Sequence, residues 1–126
     1  MSMITIKKRQ DFILSHRNSI NLHGRYLIFQ KLKRNDKSNL IFFGFTITKK
    51  IGMAYLRNKI KRRLRVIIRF LLENEKKYFE NGHNYVLISK PLIKKASFEE
   101  LKKENIYIFK KFKENNLLKN NDEFYK

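Results

Sequence analysis

The chain has no cysteine and no tryptophan among its 126 residues. Without cysteine there is no disulfide framework and no thiolate metal site, which suits a reducing, cytoplasmic setting. Without tryptophan, core packing falls to the eleven phenylalanines together with Ile and Leu. No stretch approaches the roughly 18 apolar residues that a membrane-spanning helix needs, and Met1 to Gln10 has no apolar core of signal-peptide length. The few histidines, His16, His23 and His83, fall in different segments, and no spacing among them with acids suggests a zinc or nucleophile site. Accordingly no catalytic residue and no metal ligand is assigned. The paired Glu99 and Glu100 sit at an expected helix start, where they favour the helix dipole. Acidic residues are missing most unevenly: Asp36 is the only one from Phe12 through Leu72, whereas nine of the eleven fall from Glu73 onward.

What remains is strongly basic, with a formal net charge of +19 and a pI near 10.3. Such a field attracts polyanions and speeds their encounter, so nucleic acid and acidic membrane surface are the candidate partners. The length fits one domain, expected over 1–114, with a frayed polar tail over 115–126. The charge is concentrated. Between Arg57 and Arg69 lie seven basic residues and no acidic one, and five of the nine arginines of the chain fall in this window. A general lysine surplus does not produce that concentration, and Arg carries a planar fork of donors suited to phosphate oxygens.

At helical spacing Leu56, Ile60, Leu64, Ile67 and Leu71 form an apolar stripe, so the run reads as a helix docked on a core, from about Met53 to Tyr78. Projection at 100° per residue groups Asn58, Lys61, Arg62, Arg65 and Arg69 on one flank and puts Lys59 and Arg63 on the opposite one. Asn81-Gly82 is expected to end the helix. Upstream, Lys7 to Ser15 reads as a short helix carrying Phe12. Arg25–Leu32 and Leu40–Thr48 read as strands joined through a polar cluster at 34–39, a hairpin signal. Phe43, Phe45 and Ile47 share one face of the second strand. Tyr85–Ser89 is a nearly all-apolar, central strand, and an extra strand is expected around Ile20–His23. Ser97 with Glu100 forms a capping box that opens a last helix to about Glu114, with Phe98, Leu101, Ile108, Phe109 and Phe112 at helical spacing. The class is α+β: a small α-β sandwich, helices packed on a mixed sheet of about four strands.

The stretch from Phe45 through Lys49-Lys50-Ile51-Gly52-Met53-Ala54 to Arg57-Asn58-Lys59-Ile60-Lys61-Arg62-Arg63-Leu64-Arg65 resembles the signature of the bacterial ribonuclease P protein component. That pattern is a strand ending in Ser/Thr-x-Lys-Lys, a Gly, an Ala, then Arg-Asn-Arg-x-Lys-Arg-x-x-Arg on a helix. Element order and charge agree over roughly residues 5 to 113. The resemblance implies a left-handed β-α-β crossover around the basic helix. It also implies an accessory role: a large catalytic RNA removes the 5′ leader of precursor tRNA with RNA-bound magnesium, while the protein grips both the RNA and the leader. On this reading the chain alone is not catalytic, binds no cofactor itself and takes no small-molecule substrate. RNA-facing positions fall on Arg57, Asn58, Lys61, Arg62 and Arg65, the flank isolated by the projection, with Lys49, Lys50, Lys59 and Arg69 joining them. A leader cleft over aromatic side chains is implied at Phe12, His16, Ile28 and Gln30. The sequence departs from the family pattern at Lys59, which replaces an arginine, at His16 and Gln30, often aromatic, and at Ser89-Lys90, where an arginine is usual. Base stacking on an aromatic ring contributes about 1–3 kcal/mol, so these departures shift leader affinity from stacking toward charge.

Two rivals remain open. A basic ribosomal-type RNA-binding protein with no part in catalysis would show the same salt-dependent binding. An amphipathic helix lying on acidic lipid is weakened, because the apolar stripe is needed for the core.

Overall fold

A computed structural model of the chain describes residues 4–5, 20–33 and 39–118, with side chains described for 20–33 and 39–114. The expected helix at Lys7 to Ser15, Phe12, His16, the turn at 34–38 and the tail from 119 lie outside these residues. The elements are β1 (Ile4–Thr5), β2 (Ile20–His23), β3 (Leu27–Lys33), β4 (Phe42–Thr46), α1 (Ala54–Asn74), β5 (His83–Ser89) and α2 (Phe98–Leu118). Three 3₁₀ turns, Lys49–Ile51, Lys76–Tyr78 and Pro91–Lys95, punctuate them.

The sheet is mixed, in the order β1-β4-β5-β3-β2. β5 is central, antiparallel to β3 and parallel to β4, and all its residues except Ile88 are buried. This corrects the expected hairpin between the strands at 25–32 and 40–48. The apolar run Tyr85–Ile88 gains from burial on both faces, so β5 takes the place between them, and α1 becomes the crossover from β4 to β5. The hairpin instead joins β2 to β3. The two-residue β1, parallel to β4, was not anticipated from the sequence.

Alternation assigns the two faces. Phe43 and Tyr85 stack at 5.7 Å between centroids, and Phe79 and Phe109 meet their edges, so the helices cover the face bearing Leu27, Phe29, Phe43, Phe45, Tyr85 and Leu87. The predicted α1 stripe is buried at Ile60, Leu64, Ile67 and Leu71 and half-buried at Leu56, while Ile68 and Leu72 widen it in the last two turns. α1 ends at Asn74 rather than near Tyr78. Its last turn has no basic residue to complement the dipole, and the chain leaves helical geometry at Glu75 (φ −136°, ψ 44°). The 3₁₀ turn that follows swings Phe79 into the aromatic cluster, which a continuing helix would not do.

α2 opens on the expected capping box: Ser97 N–H donates to Glu100 Oε1 at 2.9 Å, and Glu100 N–H donates to Ser97 Oγ at 3.1 Å. It continues to Leu118, so the first four residues of the expected tail are helical. α2 also clamps the β2–β3 hairpin. The Glu104 carboxylate accepts from the consecutive backbone N–H groups of Arg25, Tyr26 and Leu27 at 2.5 to 3.1 Å. A Cβ at Gly24 would lie 2.4 Å from that carboxyl carbon, so only glycine admits the clamp.

Candidate nucleic-acid interface

Local sequence sets the start of α1. Buried Ile51 pins the turn Lys49–Ile51 to the core and leaves Lys49 and Lys50 exposed. Gly52 follows at φ +154°, a conformation L side chains rarely adopt, and a Cβ there would stand 2.8 Å from Leu56 Cδ2. Its carbonyl accepts a hydrogen bond from Arg57 Nε at 3.2 Å, which fixes the guanidinium beside the junction. Met53 at the N-cap supplies no side-chain hydrogen bond and the first turn holds no acid, so neither the cap nor the first turn gives the positive end of the helix dipole an anion.

Along α1, Asn58, Lys59, Arg62, Arg65 and Arg69 are exposed, while Arg57, Lys61 and Arg63 are half-buried. The ion pairs between described residues are Lys31–Glu80, Lys77–Glu75 and His83–Glu80, and none involves a cation of α1. Lys61, Arg65 and Arg69 follow one another at i, i+4, a spacing at which like charges repel by about 0.2–0.5 kcal/mol per pair. Core burial carries the helix despite that repulsion. The opposite flank differs: Phe70 lies on the side of Lys59 and Arg63, and Lys102 of α2 sits 4.1 Å from its ring centroid. Near Phe70 that flank therefore borders α2, while Lys59 at its N-terminal end is exposed; the flank of Lys61, Arg62, Arg65 and Arg69 is the open one, with only Lys61 half-buried. A rigid row of unpaired guanidinium and ammonium groups can hold a phosphodiester backbone.

Ile28 and Gln30 occupy the sheet face opposite the helices, since Phe29 between them packs edge-on against Phe109 of α2. Gln30 is buried and shares a row across the sheet with Asn21, Val86 and Gly44. Ile28 shares the next row with His23, Ile88 and Thr46, and this row is open: His23 is exposed and the other three are half-buried. His23, Thr46 and Ile88 were missed in the sequence because the row exists only once β5 stands between β3 and β4. β4 joins the two regions, since Thr46 on this face leads directly to Lys49 and Lys50. Lys90, where the family's arginine is usual, donates from Nζ to the Gly24 carbonyl at 2.6 Å and ties β5 to the hairpin turn.

A further polar cluster is internal. Lys31, 3 % exposed, places Nζ 3.2 Å from Glu80 Oε1, and His83 Nε2 lies 3.1 Å from Glu80 Oε2. Burial holds the Lys31 ammonium below its usual range, with Glu80 partly offsetting it. Burial likewise pushes the Tyr85 phenol up, and its oxygen accepts from Glu80 N–H at 2.9 Å. Among the described residues no three His, Asp or Glu side chains stand together as a metal site.

The family model described as Ribonuclease P matches residues 3–113. The ribonuclease P protein component of Syntrophomonas wolfei subsp. wolfei is 43% identical over 90 residues, which span 71% of this chain and 71% of that protein. That of Carboxydothermus hydrogenoformans is 30% identical over 108 residues, 86% of this chain and 90% of its own length. Among solved structures, the RNase P protein of Staphylococcus aureus superposes with a TM-score of 0.72 at 22% identity, covering 84% of this chain and 92% of that one. The RNase P protein from Thermotoga maritima gives 0.70 at 22% identity, over 85% and 96%. The structural likeness speaks to the α+β fold; the sequence matches speak to the family.

Proposed function

The chain belongs to the ribonuclease P family, and from that premise we propose that it acts as the protein subunit of ribonuclease P in maturing the 5′ ends of tRNA. It grips the catalytic RNA through Lys49, Lys50, Arg57, Asn58, Lys59, Lys61, Arg62, Arg65 and Arg69. The precursor leader runs over the sheet face of Ile28 and Gln30, with Phe12 and His16 contributing from the N-terminal segment. Hydrolysis belongs to the RNA, through magnesium ions that the RNA holds, and the protein supplies affinity and position. The setting is the cytoplasm, in keeping with a cysteine-free chain in which no described helix is long and apolar enough to cross a membrane.

One observation carries this reading: the open flank of α1 presents Lys61, Arg62, Arg65 and Arg69 with no carboxylate partner among the described residues. A solvated surface helix gains nothing from such crowding, whereas a polyanion turns the repulsion into attraction. The test is a cleavage assay on precursor tRNA in magnesium. Catalytic RNA with the chain is expected to cut at the mature 5′ end faster, and at lower salt and magnesium, than the RNA alone, while the chain alone cuts nothing. Cleavage by the chain alone would refute the accessory role. Absence of any effect on the RNA, with ribosomal RNA copurifying instead, would favour a ribosomal-type binding protein.

A further inference from the structure

The turn before α1 and the turn before α2 are built alike. In Lys49–Ile51 two exposed lysines precede a buried isoleucine, and in the second turn buried Ile93 precedes exposed Lys94 and Lys95. Each isoleucine anchors its turn in the core, at 1 % and 2 % exposure, so each lysine pair is held outward on a fixed backbone. More than forty residues apart in sequence, the two turns come within 8 Å of each other at the backbone. The topology forces this: β4 and β5 are adjacent and parallel, so the segments leaving them emerge at the same end of the sheet. None of the four lysines takes part in an ion pair between described residues. Of the two acids nearest Lys95 in sequence, Glu100 is engaged by Ser97 N–H and the Tyr26 hydroxyl. The neighbouring cation is Arg57, fixed to the Gly52 carbonyl.

We propose that Lys94 and Lys95 join Lys49 and Lys50 in a second phosphate-gripping site, so that the bound RNA backbone turns the corner from the open flank of α1 onto the end of the sheet. The inference rests on the RNA-binding role proposed above and extends it to a segment outside the basic helix. Lysine ammonium groups act as point charges without the planar fork of arginine, so this site reads charge and not sequence. It adds affinity for whichever RNA α1 already holds.

The test measures binding of an in vitro transcript of ribonuclease P RNA across a salt series, for the full chain and four double variants. Lys94→Ala with Lys95→Ala is expected to lower the slope of log K against log salt by about 1.5–1.8, and to weaken binding near 0.1 M salt by about 30- to 60-fold. Lys110→Ala with Lys113→Ala removes the same charge from α2, away from both turns, and serves as control with a much smaller change. A Lys94/Lys95 variant that behaves like this control overturns the inference. Arg62→Ala with Arg65→Ala separates the two readings: if it lowers the slope while the Lys94/Lys95 variant does not, only the second site falls. If none of the variants changes the slope, the RNA role of α1 falls with it. Lys94→Arg with Lys95→Arg is expected to keep the slope, which ties the effect to charge and not to folding.

Discussion

Arg65 is the position where stability of the free protein and affinity for RNA pull in opposite directions. It is exposed on α1, has Lys61 and Arg69 as like-charged neighbours at i−4 and i+4, Arg62 at i−3, and no carboxylate partner among the described residues. Replacing it with Ala removes these repulsions, each about 0.2–0.5 kcal/mol, and installs the best helix former. The free protein is therefore expected to gain about 0.6–1.5 kcal/mol, read as a higher denaturation midpoint at unchanged denaturant dependence. Binding moves the other way. One lost phosphate contact removes about 0.9 from the salt slope, which near 0.1 M salt is about eightfold in affinity, or about 1.2 kcal/mol. Fluorescence anisotropy of labelled ribonuclease P RNA, titrated with wild type and Arg65→Ala across a salt series, reads the slope directly. A variant that is more stable but binds with an unaltered slope would show that Arg65 is merely solvated. One that loses stability would show a packing role absent from the described structure, and the reasoning for the whole flank would fail.

Three further outcomes follow from the packing. Glu104→Gln replaces the charged acceptor of three consecutive amides with one that turns an NH₂ toward them, and is expected to cost about 2 kcal/mol in chemical denaturation; a loss under about 0.5 kcal/mol would remove the clamp from the account of the hairpin. Lys31→Met is expected to stabilise by about 1 kcal/mol, because the Lys31 side chain is 2% exposed and gives up its desolvation cost, while Glu80, 43% exposed, stays hydrated beside His83; marked destabilisation would mean the ion pair outweighs desolvation. Glu100, held below its ordinary 4.5 by hydrogen bonds from Ser97 N–H, the Tyr26 hydroxyl and Ser97 Oγ, adds stability that is present above that value and lost as pH falls through its lower folded one. Acid titration of stability should therefore be shallower in Glu100→Gln than in wild type, and superimposable curves would contradict it.

Local chemistry wrote much of this protein into its sequence. The stripe of α1, the flanks on which its cations lie, the capping box of α2, the short β2 at Ile20–His23 and the apolar run of β5 all depend on neighbours within a few residues, through helical or strand periodicity and hydrogen bonds to adjacent amides. The order of strands does not. Turn residues between β3 and β4 suggested that they pair, but competition for the doubly buried place in the sheet is settled by the whole chain at once, and β5 wins it. The same long-range competition ends α1 at Asn74 so that Phe79 can reach the aromatic cluster. It aligns His23, Ile28, Ile88 and Thr46 in one row, sets Glu104 against the hairpin amides, and brings Lys94 and Lys95 beside Lys49 and Lys50. Periodicity encodes which face of an element is apolar; only the burial of all those faces together decides which elements meet.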